Sequence, residues 1–590
     1  MTELLFGPVL SPSEVLFRFW APLHDRIQLK IEGREVADME PRDHGWHELT
    51  VEGVGASARY SFILPDGLAV PDPASRYQPH DVHGPSEVVD LTSYSWKQTE
   101  WKGRPVEELV LYELHIGAFT PEGTFLAAID KLDHLKELGV TAIQIMPVAD
   151  FPGAYGWGYD GVLPYAPDSS YGRPEDLMAL IDAAHERGIC VFLDVVYNHF
   201  GPDGNYLPVY APLFTDRHKT PWGNGINYDG DSSVPIREFV IHNAIYWVTQ
   251  FRVDGLRLDA VHAIRDDSWE HLLDELARRV REAAGDRHVH LVVENEDNNS
   301  DLLRRDPSGK PLLYTAQWND DIHHVLHRAA TGEDFGYYAD YQGGAEVIGK
   351  ALAEGFIFQG EMMPYRGETR GKPTLDLPPT AFISFIQNHD QIGNRALGDR
   401  MVTAQPAERL RAIAAVYLLA PQLPMLFMGE EWGAPEPFPY FCDFDEELNE
   451  KVRKGRREEL SRLPGFDADD LQDPTARETF ESAKLDWAAT RETSGENWLS
   501  FYRDLLRVRR ESVVPLLKNA RGPGCWATSG EALVVEWQLG SKVLQLLANL
   551  SGEEAALPQA AEAPEELLHL GSIEAGAAGP WSVKWSLRNA

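Results

Sequence analysis

From about residue 108 the chain alternates short, continuous apolar runs with amphipathic stretches. ELVLYELHIG (108–117) reads as a buried strand. FLAAIDKLDHLKELG (125–139) then repeats apolar residues at helical spacing and ends on Gly139 as a stop. TAIQIMPV (141–148), the helix PEDLMALIDAAHERG (174–188) and ICVFLDVV (189–196) continue the rhythm. A long irregular insertion at 199–235 is rich in Pro, Gly, Asn and Asp. The helix REFVIHNAIYWVTQF (237–251), VDGLRLDAV (253–261), a helix around 268–284 and VHLVVENE (289–296) follow. LLYTAQWN (312–319), TAFISFIQNHD (380–390) and LPMLFMGEEW (423–432) complete a set of eight strands. Continuous rather than alternating apolar runs mean strands covered on both faces, as in a parallel sheet. The pattern predicts an α/β fold, a (β/α)8 TIM barrel over 105–515, with a doubly wound open sheet as the alternative.

The flanks have a different rhythm. In 1–95, VLFRFW (15–20), RIQLKI (26–31) and RYSFIL (59–64) are short β-forming runs, and Pro65-Asp66-Gly67 is a turn signal. This predicts an N-terminal β-sandwich. In 516–590, EALVVEWQL (531–539), KVLQLLANLS (542–551) and PWSVKWSL (580–587) predict a C-terminal β-sandwich. The charged segment 445–480 reads as a solvated helical or loop excursion from the barrel.

Composition narrows the class. The 590 residues are 43% hydrophobic and 25% charged, ordinary for a globular chain, which excludes disorder and collagen-like repeats. Lys and Arg number 54 against 92 Asp and Glu, a net charge of −38. So acidic a chain should repel nucleic acid and anionic membranes, while sugars incur no penalty. Cys190, Cys442 and Cys525 are too few for a disulfide framework and suit a reducing compartment. There is no secretory leader pattern and no run of about 18 apolar residues, so the expectation is a cytoplasmic protein. The sequons at Asn298 and Asn549 read as chance.

In a barrel, chemistry sits at the C-terminal ends of the strands. The third run ends Asp194-Val195-Val196-Tyr197-Asn198-His199, and the fourth Arg257-Leu258-Asp259-Ala260-Val261-His262. The fifth ends Glu294-Asn295-Glu296-Asp297, and the seventh Gln387-Asn388-His389-Asp390. Arg257 and Asp259, two apart on a strand, share a side. The arginine should keep Asp259 ionised, and a nearby Glu should be pushed toward its protonated form. One ionised and one protonated carboxyl are what glycoside cleavage needs. Any single Asp or Glu at a strand end could equally be a loop anchor; the ordered set on successive strands is much harder to explain that way. Glu294 and Glu296 share a face, and Glu294, ending the apolar run, is preferred. His323, His324 and His327 cluster on a predicted helix without a metal-binding signature. No nucleotide-binding glycine loop is present, and no cofactor is expected.

DVVYNH, GLRLDAVH, VVENED and FIQNHD resemble the four signature segments of the α-amylase family of glycoside hydrolases and transglycosylases, in the family's order. The likeness extends over most of the chain, including an N-terminal sandwich like that of debranching and branching enzymes. It implies Asp259 as the nucleophile, Glu294 as the general acid/base and Asp390 as the third carboxylate, which holds sugar hydroxyls. It implies Arg257 as the residue positioning the nucleophile, His199 and His389 as hydroxyl binders, and Tyr159 as the ring stacked on the sugar being cleaved. Asp194 would brace Arg257. Trp157 and Tyr155 in the same loop, and Phe438, Tyr440 and Phe441 after the eighth strand, are further candidates for sugar contact. Asn198 matches a position that binds calcium in many relatives, but no full ligand set is apparent and no metal is expected.

Within the family, YELHIGAFTPEGTF (112–125) is shared in outline with branching enzymes. YGWGYDGVLPYAPDSSYG (155–172), FTDRHKTPWGNGINYDG (214–230), QNHDQIGNRALGDR (387–400) and MGEEWGAPEPFPYFCDF (428–444) look more like trehalose-releasing members. That likeness implies retaining hydrolysis of the α-1,4 bond next to the terminal trehalose of maltooligosyltrehalose. A functional partner, maltooligosyltrehalose synthase, would make this substrate. The alternatives are a 1,4-α-glucan branching enzyme and, in another class, a non-catalytic α-glucan-binding protein.

Overall fold

The computed structural model describes residues 5–461, 471–574 and 576–590. Part of the charged excursion at 445–480 therefore lies outside the described residues. The eight apolar runs become β1 (Leu111–Leu114), β2 (Ala142–Ile145), β3 (Cys190–Val195), β4 (Gly255–Leu258), β5 (His290–Val293), β6 (Ala316–Trp318), β7 (Phe382–Ser384) and β8 (Leu423–Phe427). They pair in parallel in that order, and β8 closes on β1 through Leu111 and Met425. The sheet is thus a closed barrel rather than an open doubly wound one. Every residue of all eight strands is buried. One face meets the surrounding helices and the other fills the barrel, so neither face selects for polar residues.

Helices connect most strands, among them Pro174–Glu186, Ser233–Thr249, Leu272–Ala284, Asp320–Thr331 and Ala407–Leu419. The helical pattern over 125–139 is two helices, Phe125–Ile129 and Leu132–Leu138, joined at Asp130–Lys131. Gly139 ends the second at φ 106°, a left-handed conformation that a side chain would resist. The insertion at 199–235 is not wholly irregular. It carries an antiparallel hairpin, Phe214–Thr220 with Gly223–Ile226, whose tip is Pro221-Trp222.

Two sheets form the N-terminal region, one built on Glu14–Trp20 and Trp46–Glu52, the other on Gln28–Ile31 and Arg59–Ile63. Phe17 and Phe19 alternate inward, and Phe19 stacks on Phe62 at 4.2 Å between ring centres. Arg76 anchors this region to the barrel, its guanidinium over the rings of Tyr165 and Tyr246. The C-terminal region holds a five-stranded antiparallel sheet and a three-stranded one. Trp585, stacked on Trp537, donates from Nε1 to the Ala415 carbonyl at 2.9 Å and so docks the larger sheet on a barrel helix. Among the described residues no helix is long and apolar enough to cross a membrane.

Candidate active site

The C-terminal ends of the strands open on a cavity of about 540 Å³, a size typical of small-molecule sites (about 300–1,000 Å³). Asp259, Glu294, His389 and Asp390 line it together with Tyr159, Trp157, His199 and Tyr440. Arg257, wholly buried on β4, ties the carboxylates together. Its Nη1 donates to Asp194 Oδ2 at 2.7 Å and to Asp259 Oδ1 at 2.9 Å, and its Nη2 lies 2.7 Å from Glu294 Oε2. The planar guanidinium also lies over Trp318, 4.2 Å from the ring centre. A lysine could not make these contacts from one plane.

Each acidic group sits in a different environment. Asn198 donates from Nδ2 to both the carbonyl and Oδ2 of Asp259, each at 2.7 Å. The amide expected to match a calcium ligand is thus engaged in fixing Asp259. Glu294 Oε2 accepts the Ala260 N–H at 2.9 Å. That N–H is aimed by a left-handed turn, with Ala260 at φ 39°, costly for a residue with a Cβ. Burial, reinforced by the charges of Asp259 and Asp390 and only opposed by Arg257, pushes the Glu294 carboxyl well above the usual range. It is therefore biased toward its protonated form. Oε2 accepts the Ala260 N–H, which leaves Oε1 as the oxygen free to carry a proton. For Asp390, burial is the largest influence and works in the raising direction, but the charge and hydrogen bond of His389 together with the charges of Arg257 and Arg456 outweigh it and hold the carboxyl below its usual range. Asp194, buried and close to Asp259, is pushed up to about 7 despite Arg257. The site thus biases Glu294 toward its protonated form and Asp390 toward ionisation, and a carboxyl raised in this way suits the acid role in glycoside cleavage.

The aromatic candidates divide. Tyr159 stacks on His389 with ring centres 5.1 Å apart and donates to Asp194 at 2.9 Å. His199 contacts the Asn198 amide and donates from Nε2 to the Tyr159 carbonyl at 3.0 Å. Trp157 lines the cavity while its Nε1 donates to the Pro439 carbonyl at 3.1 Å. This packing needs Gly393, where a Cβ would come within 2.1 Å of the indole. Tyr155 and Phe438 do not line the cavity, which corrects the expectation for both. Tyr155 turns away to stack on Phe480 and donates to the Thr475 carbonyl; Phe438 is wholly buried behind Trp157. Phe441 is buried as well. Large apolar rings beside a polar mouth are best spent supporting the wall that faces the sugar.

Glu296 lies on the rim with its side chain 60% exposed, away from Arg257, so it does not compete for the position of Glu294. His323, His324 and His327 pack among Tyr337, Tyr338 and Tyr341 beside the barrel. Among the described residues one group, His218, Asp229 and Asp267, has metal-ligand spacing, and Arg217 also pairs with Asp229 there.

Several wall residues carried no clear sequence signal. Trp222, half exposed on the hairpin tip, lies flat on His199 with ring centres 4.3 Å apart. Arg456 and Glu459 reach the cavity from the helix Glu446–Leu460, so that part of the charged excursion is a wall rather than solvated surface. Asp320 follows β6 outside that lining; burial pushes its carboxyl up to about 7, and its charge adds to the rise at Glu294.

Comparison with known proteins agrees with this geometry. Residues 91–208 match the alpha amylase catalytic domain, and 522–585 match a C-terminal domain of unknown function. The chain is 43% identical to a malto-oligosyltrehalose trehalohydrolase of Saccharolobus solfataricus, over 86% of this chain and 87% of that one. It is 42% identical to one from Deinococcus radiodurans, over 95% and 91%. The chain belongs to the malto-oligosyltrehalose trehalohydrolases. A crystal structure from Salmonella typhimurium, named for alpha amylase, superposes with a TM-score of 0.95 at 46% identity, over 99% of each chain. Membership places the chain among the α-amylase family glycoside hydrolases, and the fold and the family thus agree.

Proposed function

We propose that the protein hydrolyses the α-1,4-glucosidic bond next to the terminal trehalose of maltooligosyltrehalose, with retention, releasing trehalose and a maltooligosaccharide. The likeness to trehalohydrolases over most of the chain supports the substrate, an α-glucan oligosaccharide. The observation that carries the chemistry is Arg257 bridging Asp259 and Glu294, with burial biasing Glu294 toward its protonated form. In the first step an Asp259 oxygen attacks C1 of the sugar. Glu294 Oε1 gives its proton to the glycosidic oxygen, the C1–O bond breaks, and trehalose leaves. Asp259 is then esterified to the maltooligosyl unit. Water enters the vacated side, loses a proton to Glu294 and attacks C1, which frees Asp259. Asp390, His389 and His199 bind hydroxyls of the reacting sugar, and Tyr159 supplies its stacking face. Trp157 and Tyr440 extend the wall.

Maltooligosyltrehalose synthase, isomerising the reducing end of a maltodextrin, is the partner in this reading, with both proteins in the cytoplasm. The free thiols of Cys190, Cys442 and Cys525 support that compartment. The test is to give the purified protein maltotriosyltrehalose and, in parallel, maltopentaose, and to chromatograph the products. Trehalose and maltotriose from the first, with little attack on the second, is the expected result. Equal cleavage of both contradicts the trehalose preference. No cleavage of either, with loss of iodine staining of amylose, would indicate a branching enzyme instead; no change in either assay would indicate a binding protein.

A further inference from the structure

Glu113 lies in the middle of the apolar strand β1 and is wholly buried, an unusual position for a carboxylate unless it is paired. It faces the barrel interior behind the site rather than the cavity. Its Oε1 is 2.7 Å from His389 Nδ1, and its Oε2 accepts the His389 backbone N–H at 3.1 Å. The opposite ring nitrogen, Nε2, points to Asp390 Oδ2 at 3.4 Å. The imidazole is therefore sandwiched between two carboxyl groups, one buried and one at the reaction mouth.

We propose that Glu113 is a positioning residue for glycoside cleavage, holding His389 as a doubly protonated imidazolium that orients Asp390 and keeps it ionised. The inference rests on the reading that His389 and Asp390 act on the cleaved sugar. A neutral imidazole has one N–H. If it used that hydrogen on Glu113, it would present a lone pair to Asp390, and two acceptors would face each other. A doubly protonated ring donates from both nitrogens, one toward each carboxyl group. The two contacts from Glu113 fix the ring and the backbone at the start of the helix His389–Gly393 at the same time.

The other groups facing His389 are few. His115, just beyond β1, is held uncharged by burial, pushed down to about 4. Asp194 at the end of β3 and Asp390 itself are the remaining acidic neighbours. Trp157, Tyr159 and Trp318 supply the surrounding rings. Burial alone would discharge the histidine; Asp390 and Glu113 together reverse this. Removing the Glu113 charge while keeping its shape should therefore let His389 lose its proton at a lower pH.

The test compares the pH dependence of kcat/KM for wild type, Glu113→Gln and Glu113→Asp on maltotriosyltrehalose, and adds Glu113→Gln to a His389→Gln background. In E113Q the alkaline limb is expected to move down by about one pH unit or more, with the acid limb unmoved. E113D, which keeps the charge, is expected to retain the wild-type alkaline limb. In the His389→Gln background E113Q is expected to cost no more than about a further twofold, because its route of action is gone. An E113Q profile that superimposes on wild type overturns the proposal, as does a full multiplicative loss in the double variant. If E113Q does not fold, an alkaline limb lowered in E113D overturns it equally. An inactive wild type would refute the hydrolase reading itself, a separate outcome.

Discussion

Replacing Glu294 by glutamine isolates the proton from the geometry. Glu294 Oε2 is held by the Ala260 N–H at 2.9 Å and lies 2.7 Å from Arg257 Nη2. A glutamine carbonyl can accept the same Ala260 N–H and keep its place beside Arg257, so its NH₂ group takes the place of Oε1. Burial and the charges of Asp259 and Asp390 bias Glu294 toward its neutral, protonated form. The substitution therefore leaves the charge around Asp259 unchanged and removes one transferable proton. General acid assistance contributes about 10²–10⁴ in rate, or about 3–5 kcal/mol of barrier. That loss is expected in kcat on maltotriosyltrehalose, with KM changed little. Fluoride needs no proton to leave, so the burst of fluoride from α-maltosyl fluoride, which reports the first step alone, should slow much less. The sign of the pH effect follows from the raised group: wild-type activity is full while Glu294 is protonated and falls as pH rises through its raised value. Glu294's contribution to the alkaline limb should vanish in E294Q, leaving the contribution set by His389. Retention of more than about a tenth of wild-type kcat on the natural substrate would refute the assignment. So would a fluoride burst slowed by the same factor as the natural reaction.

Arg257→Met should cost about 3–5 kcal/mol of stability by urea denaturation, because it leaves the buried Asp194 and its neighbours without their shared cation; an unchanged midpoint would argue against that role. Tyr155→Phe removes the hydrogen bond to the Thr475 carbonyl and should lower stability by about 0.5–1.5 kcal/mol while leaving KM unaltered. A raised KM would restore Tyr155 to the substrate wall. Trp222→Ala, at a half-exposed position, should leave the melting temperature unmoved and raise KM about two- to tenfold if its ring stacks on sugar, as steady-state kinetics would show.

The barrel was legible because its strands are buried on both faces, which leaves continuous apolar runs in the sequence. The polar residues that end those runs then stand out, and Arg257, Asp259, Glu294 and Asp390 do meet around one cavity. Elements without that signature were harder to read. The hairpin bearing Trp222 is mostly exposed on both faces, so no alternation marks it. The helix Glu446–Leu460 buries only Asn449 and Leu460, and nothing in its charge pattern shows that Arg456 turns inward. Tyr155 and Phe438 misled because an aromatic residue beside an active site can equally face the sugar or support the residue that does. Glu113 did carry a signal, a carboxylate inside an apolar strand, but its partner is far away in sequence and only the closed barrel brings the two together.

The central claim is a double displacement in which Asp259 forms a covalent glycosyl ester with the maltooligosyl unit. Proton NMR of the maltotriose first released from maltotriosyltrehalose tests it most directly, since trehalose itself has no free anomeric carbon. The account requires the α-anomer to appear first and then mutarotate. The β-anomer appearing first would mean that water attacks the substrate directly, and would contradict the role given to Asp259.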